Sequence, residues 1–170
     1  IILGSSSFSL VPTPADSVRK TIWHNAELMR RVRFSENSRV TTADLVTPRM
    51  REDQAQNFLA NQSADYNLEE LGIDYLFVDE SHEFKNLYCP TGGNGLRGVS
   101  NTASAKCTDL YYKTKYLASL YGGKGGFTFA TGTAIVNSIT ELYSLQRYFQ
   151  EDLLIEKNIF GLDDWLALYG

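Results

Sequence analysis

The sequence predicts an α/β fold with a mainly parallel sheet, and three observations carry that prediction. Two short apolar runs, ending at Val78 and Ala130, are bounded by polar residues, as buried strands of a parallel sheet are. Segments with apolar residues at helical spacing alternate with them. Each run ends in residues suited to chemistry: Asp79-Glu80-Ser81-His82 after the first and Thr131-Gly132-Thr133 after the second.

In chain order, Ile1 to Leu3 reads as a strand, followed by the Ser-rich segment Gly4 to Ser7 and a turn marked by Pro12 and Pro14. Ala15 to Val32 carries Val18, Ile22, Ala26 and Met29 at helical spacing, with Arg30, Arg31 and Arg33 at its end, where cations favour the helix dipole. Arg39 to Thr47 is polar and has no clear period. Pro48 suits the first position of a helix capped by Thr47 and running through Met50, Phe58 and Leu59. A strand follows at Asp74 to Val78. The connection from Asn86 to Ala105 is rich in Gly, Asn, Thr and Ser, and loops of that length tend to be functional. Ala105 to Tyr121 reads as a helix carrying Leu110, Lys113, Thr114, Leu117 and Leu120. The run Gly122-Gly123-Lys124-Gly125-Gly126 is a turn into the second strand, Phe127 to Ala130. A helix from about Ser138 to Phe149 places Ile139, Leu142, Leu145 and Tyr148 on one face.

The bulk numbers are those of one globular domain: 170 residues, 43% of them hydrophobic, with no internal repeat. No apolar run approaches the roughly 18 residues of a membrane span, so no membrane partner is expected. The opening Ile-Ile-Leu-Gly lacks both a Met and a basic leader, which suggests an excerpt of a longer chain. Cys89 and Cys107 have neither disulfide-framework nor zinc spacing, and the default setting is cytoplasmic. His24 and His82 are too far apart in the sequence to suggest a metal cluster.

The net charge is -4, but it is unevenly spread. From Asp65 to Glu83 every charged side chain is acidic. From Lys85 to Lys124 the cations are Lys85, Arg97, Lys106, Lys113, Lys115 and Lys124, against Asp109 alone. A locally basic segment is the footprint expected for phosphate contacts, with a solvated surface as the plainer alternative. Tyr111-Tyr112 invites a base-stacking role, yet tyrosines at helical spacing more often pack in a core.

In open α/β sheets the ligand crevice lies at the carboxyl ends of the strands. Two carboxylates placed there are costly to desolvate unless they hold a cation or handle a proton. Asp79 is the candidate Mg²⁺ ligand and Glu80 the candidate water-orienting acid, an arrangement suited to nucleotide hydrolysis. Parallel strands joined by a right-handed crossover lie near each other, so Thr131 and Thr133 are expected within reach of Ser81 or His82. Strand tips on opposite edges, or carboxyl groups turned out into bulk water, would sink the motor reading.

Together, DESH at residues 79–82 and TGTAIVNSITELYSLQRYF from Thr131 resemble the signature of superfamily-two helicases, and of their Snf-type translocases in particular. Phe84-Lys85-Asn86-Leu87, Ser104-Ala105-Lys106 and Leu162-Asp163-Asp164-Trp165 look like the helicase region of large phage and mobile-element proteins, which often carry a DNA methylase as well. The resemblance is strong from Leu71 to Trp165 and loose before Val46. It implies a partial RecA-like, three-layer fold of the P-loop NTPase type, with residues 1–170 as an incomplete N-terminal helicase lobe running from Walker B to motif III.

By position, the resemblance implies that Asp79 binds Mg²⁺ and that Glu80 positions the water attacking ATP. It implies that Ser81 and His82 couple to Thr131, Gly132 and Thr133. Asn137 and Glu141 match structural positions, and Ser5 to Ser7 match a nucleic-acid backbone contact. The implied partners are DNA, gripped through phosphates with Lys85, Arg97 and Lys106 as candidates, a second RecA-like lobe, an upstream Walker A segment, and in some relatives a fused methyltransferase. Two departures stand out. Ala134 replaces the usual Pro, and no G-x-x-x-x-G-K-[ST] occurs. The Lys124 segment precedes a strand, whereas a phosphate loop follows one and opens a helix. The chain by itself is therefore expected to hydrolyse almost nothing. The alternative is a degenerate lobe that only binds DNA or a partner.

Overall fold

A two-stranded parallel sheet rests on helices, and one helix is enclosed by the rest. The computed structural model describes residues 2–32, 48–62, 64–89, 104–135 and 138–170. Its elements are α1 (Ser5–Leu10), α2 (Ala15–Met29), α3 (Pro48–Ala60), β1 (Leu76–Val78), α4 (Ala105–Leu120), β2 (Phe127–Phe129), α5 (Glu141–Phe149), α6 (Glu151–Glu156) and α7 (Leu162–Tyr169). A 3-10 turn, Ser81–Phe84, follows β1.

The α/β class holds, with β1 and β2 paired in parallel in the register Leu76 to Phe127 and Val78 to Phe129. Among the described residues the sheet has these two strands. Phe127 and Phe129 turn to the helical side, where the Phe127 ring stacks on Phe149 at 5.2 Å and Phe129 meets Tyr148 edge-on, also at 5.2 Å. The expectation of a strand buried on both faces is corrected here. Phe77 is 77% exposed beside the half-exposed Tyr75, because the described helices that contact the sheet cover its other face.

The start of the chain also departs from expectation. The described part of Ile1 to Leu3 is not a strand, and the Ser-rich segment is helical as α1. The Ser5–Ser7 match to a backbone contact thus falls on a short helix that packs on α4. The Phe8 ring faces Lys113, whose Nζ lies 4.1 Å from the ring centroid and donates to the Phe8 carbonyl at 2.6 Å.

α4 matches its expected span, and of the five residues expected along it Leu110, Lys113, Thr114 and Leu117 are buried. Ten of its sixteen residues are buried, because α1, α2, α5, β2 and the 3-10 turn all contact it. Leu120 is exposed, while Lys113 is fully buried and ion-paired to Asp109 at 2.6 Å. Burial pushes the Asp109 carboxyl up and the Lys113 ammonium down, and their mutual attraction offsets this in part. Tyr111 and Tyr112 are core residues, in keeping with the packing reading of that pair.

The Gly-rich run is a turn. Gly122, Gly123, Gly125 and Gly126 all have positive φ, and a Cβ on Gly126 would lie 2.8 Å from the Leu117 backbone. Only glycine permits both the left-handed backbone and that close approach.

Candidate functional site

The parallel ladder continues past the strand ends and fixes how the two motifs meet. The Ala130 N–H donates to the Val78 carbonyl at 2.8 Å, and the Ser81 N–H donates to the Ala130 carbonyl at 3.0 Å. DESH and Thr-Gly-Thr therefore leave adjacent strands on the same edge of the sheet. The chain bends sharply at Glu80, whose φ of 50° is left-handed. A non-Gly residue there costs of order 1 kcal/mol and needs local support. Asp79 supplies some, its Oδ1 accepting the Glu80 N–H at 2.8 Å.

Beyond the bend the side chains part. Ser81 turns inward and is buried. Asp79 and Glu80 are both exposed, with 64% of the Glu80 side chain accessible, so the two carboxyl groups face solvent rather than an enclosed crevice. His82 lies between the motifs. Its Nδ1 is 3.1 Å from Glu80 Oε2 and 3.3 Å from Thr131 Oγ1. Thr131 in turn accepts the Thr133 N–H at 3.1 Å and donates to the Thr133 carbonyl at 3.3 Å. Thr131 thus reaches His82, whereas Thr133 folds back on Thr131, and Gly132 sits exposed between them.

Two long-range ties hold this edge in place. Lys85 Nζ pairs with Glu141 Oε1 at 3.0 Å, with only 16% and 8% of the two side chains accessible, joining the segment after DESH to the first turn of α5. From the other end of α5, the Tyr148 hydroxyl reaches the Phe84 carbonyl at 3.2 Å and the Cys107 carbonyl at 3.0 Å. Cys107 and Cys89 are free buried thiols.

The basic segment looks different in three dimensions. Lys113 is enclosed and cannot touch a phosphate, which corrects its place in that footprint. Lys85 is held by Glu141 and Lys115 by Glu151 at 2.8 Å. Lys106, half exposed, is bound to Glu83 at 2.9 Å, and its hydrogen bond, aided by its charge, holds the Glu83 carboxyl below the usual range. A phosphate at Lys85 would have to displace a carboxylate, and one at Lys106 would compete with Glu83. Arg97 and Asn137 lie outside the described residues.

Asp79 is the strand-tip carboxylate whose contacts bear on metal binding. Asp79 Oδ1 is engaged by the backbone, and Oδ2 has no partner among the described residues. No group of three or more His, Cys, Asp or Glu able to hold a metal occurs among them. A Mg²⁺ ion, which keeps most of its waters and is usually shared between one or two carboxylates and phosphate oxygens, would find a ligand here in Asp79 Oδ2. A transition-metal centre would need the cluster that is missing there.

A second polar centre escaped the sequence reading. Glu151, the first residue of α6, accepts from Arg147 Nε at 3.1 Å and from the Tyr111 hydroxyl at 2.6 Å, besides its ion pair with Lys115. Arg147 also donates to the Tyr88 carbonyl. The spacing of Arg147 and Glu151, four apart, is the one hint in the sequence, since such pairs lie on one helix face. Nothing in the sequence signals Lys85 with Glu141.

Among the described residues no helix is long and apolar enough to cross a membrane. No solved structure matches the chain. A curated relative, the defense against restriction protein B of Escherichia phage P1, is 26% identical over 109 residues, which is 60% of this chain. The chain spans about 5% of that relative's length. A family model described as a probable helicase domain matches residues 38–170, covering both strand-tip motifs and the helices that brace them. On that match, the chain belongs to the probable helicase domain family.

Proposed function

We propose that this chain is the Walker B to motif III portion of an ATP-dependent DNA translocase motor with a RecA-like lobe. The observation that carries the proposal is the adjacency of the two motifs on one sheet edge, with His82 Nδ1 between Glu80 and Thr131. Family membership and the phage relative support a helicase-related role in a mobile-element protein. In this reading Asp79 would hold Mg²⁺, which would supply positive charge to offset that of the ATP phosphates. Glu80 orients the attacking water, and His82 and Thr131 pass a change at the carboxylate to α5. Lys85 and Lys106 serve DNA only if their carboxylate partners release them. The second RecA-like lobe, the Walker A segment and any methyltransferase belong to the rest of the parent protein.

Exposed carboxyl groups and a Glu80 already engaged by His82 favour a second reading, a lobe that binds without catalysing. One experiment separates the two. In the full parent, Glu80→Gln is expected to leave ATP binding nearly intact and to stop turnover. Turnover that survives the change removes Glu80 from the chemistry, and a parent with no ATPase activity at all supports the binding lobe. The isolated chain is expected to show no ATPase above background. Positioning and charge stabilisation supply most of phosphoryl-transfer catalysis, and an arginine finger alone supplies about 10³–10⁵ in rate.

A further inference from the structure

Lys85 and Glu141 lie outside DESH and Thr-Gly-Thr, yet each sits just downstream of one. Lys85 directly follows the 3-10 turn that carries Ser81 and His82, and Glu141 opens α5. Their ion pair is nearly enclosed. A salt bridge this dry gains little stability over a packed apolar pair of the same volume, because both charges lose their water. What it gains is register. A charged hydrogen bond is satisfied at one relative position of its two segments, whereas apolar groups can slide past one another.

A second anchor lies seven residues along the same helix. The Tyr148 hydroxyl donates to the Phe84 carbonyl, and Phe84 immediately precedes Lys85. Two neighbouring residues are thus fastened to both ends of α5, at points about 10 Å apart along the helix. Two anchors fix the direction of a helix, while one leaves it free to pivot. The helix is also stacked on β2 through Phe149 and Phe127. By contrast, the side-chain link at the strand tips is the His82 contact with Thr131, which at 3.3 Å is longer than a typical hydrogen bond.

Resting on the motor reading, we propose that Lys85 and Glu141 are positioning residues. Their pair, together with Tyr148, makes α5 move with the DESH turn as one body. A displacement at Asp79 and Glu80 then reaches α5 without relying on the tip contact alone, and Lys85 serves this joint instead of DNA.

The test is steady-state ATPase of the full parent with and without DNA, alongside DNA binding at several salt concentrations. Glu141→Gln keeps the side chain's shape. It is expected to leave the KM for ATP unchanged, which also shows that the site is folded, and to lower the DNA-stimulated kcat about tenfold. Lys85→Met should lower it as well with the salt dependence of DNA binding unaltered, whereas loss of a phosphate contact would reduce that slope by about one. Lys85→Arg, and the exchange of Lys85→Glu with Glu141→Lys, should restore most of the lost turnover. A pair that only stabilises would lower the melting temperature and spare kcat per folded molecule. Wild-type stimulated kcat in Glu141→Gln, an exchange no better than the single changes, or a shallower salt slope in Lys85→Met overturns the proposal. A wild-type parent without DNA-stimulated turnover removes the motor reading as well.

Discussion

Replacing Glu151 with Gln keeps the shape of the α4–α5–α6 junction and removes one buried charge. Burial alone would raise the Glu151 carboxyl, but Arg147 and Lys115 outweigh burial and hold it at about 2, against an ordinary value of 4.5. At roughly 1.4 kcal/mol per pH unit, that displacement corresponds to about 3 kcal/mol of stability at neutral pH. The group is almost wholly buried, so solvent screening takes little from the figure. A depressed carboxyl contributes fully above its unfolded value and loses the contribution as pH falls through the folded one. The stability difference between wild type and Glu151→Gln should therefore be about 3 kcal/mol near neutrality and shrink by more than half between about pH 5 and pH 2. Urea unfolding followed by circular dichroism measures it, with a midpoint difference of about 1–3 M expected at neutral pH for typical slopes. Parallel stability curves for the two proteins across that acid range would refute the reasoning.

Other consequences follow from particular contacts. Lys85→Met is expected to cost about 2–4 kcal/mol by removing the cation paired with the buried Glu141, and the exchange Lys85→Glu with Glu141→Lys should recover at least half, measured by the same unfolding assay. If the exchange recovers nothing, the pair is incidental. Phe77→Ser should change stability by no more than about 0.5 kcal/mol, whereas Leu110→Ala, in the core, should cost about 2–5 kcal/mol. A costly Phe77→Ser would mean that the open sheet face is covered in the folded protein. Gly126→Ala should lower the thermal midpoint by several degrees, since even about 1–2 kcal/mol matters in a domain of this size. An unchanged midpoint would show that the turn relaxes freely.

Much of the architecture could be read from local pattern. Ala15–Met29, Pro48–Ala60 and Ala105–Leu120 lie within two or three residues of their expected limits, because helical period, proline starts and glycine breaks are properties of neighbouring residues. The parallel pairing of the two apolar runs was likewise foreseen from crossover geometry. α6 was missed because Glu151 follows α5 after a single residue, with no breaker between them. α1 was missed because serines favour turns, and here the Phe8 contact with α4 outweighs that preference.

The site divides along the same line. By itself the sequence determined which chemistry-bearing residues end the two strands, since motif and spacing are linear facts. Only tertiary structure decided which charges are available. Lys113 reads as a surface cation and is enclosed, and Lys85 reads as a phosphate contact and is tied to a helix 56 positions further on. Beyond the four-residue spacing of Arg147 and Glu151, no pattern of neighbours reveals that Lys115 and Tyr111 converge on Glu151 as well. The reason is physical: a charge takes its role from the dielectric and the partners around it, and both are set by contacts between residues far apart in the chain.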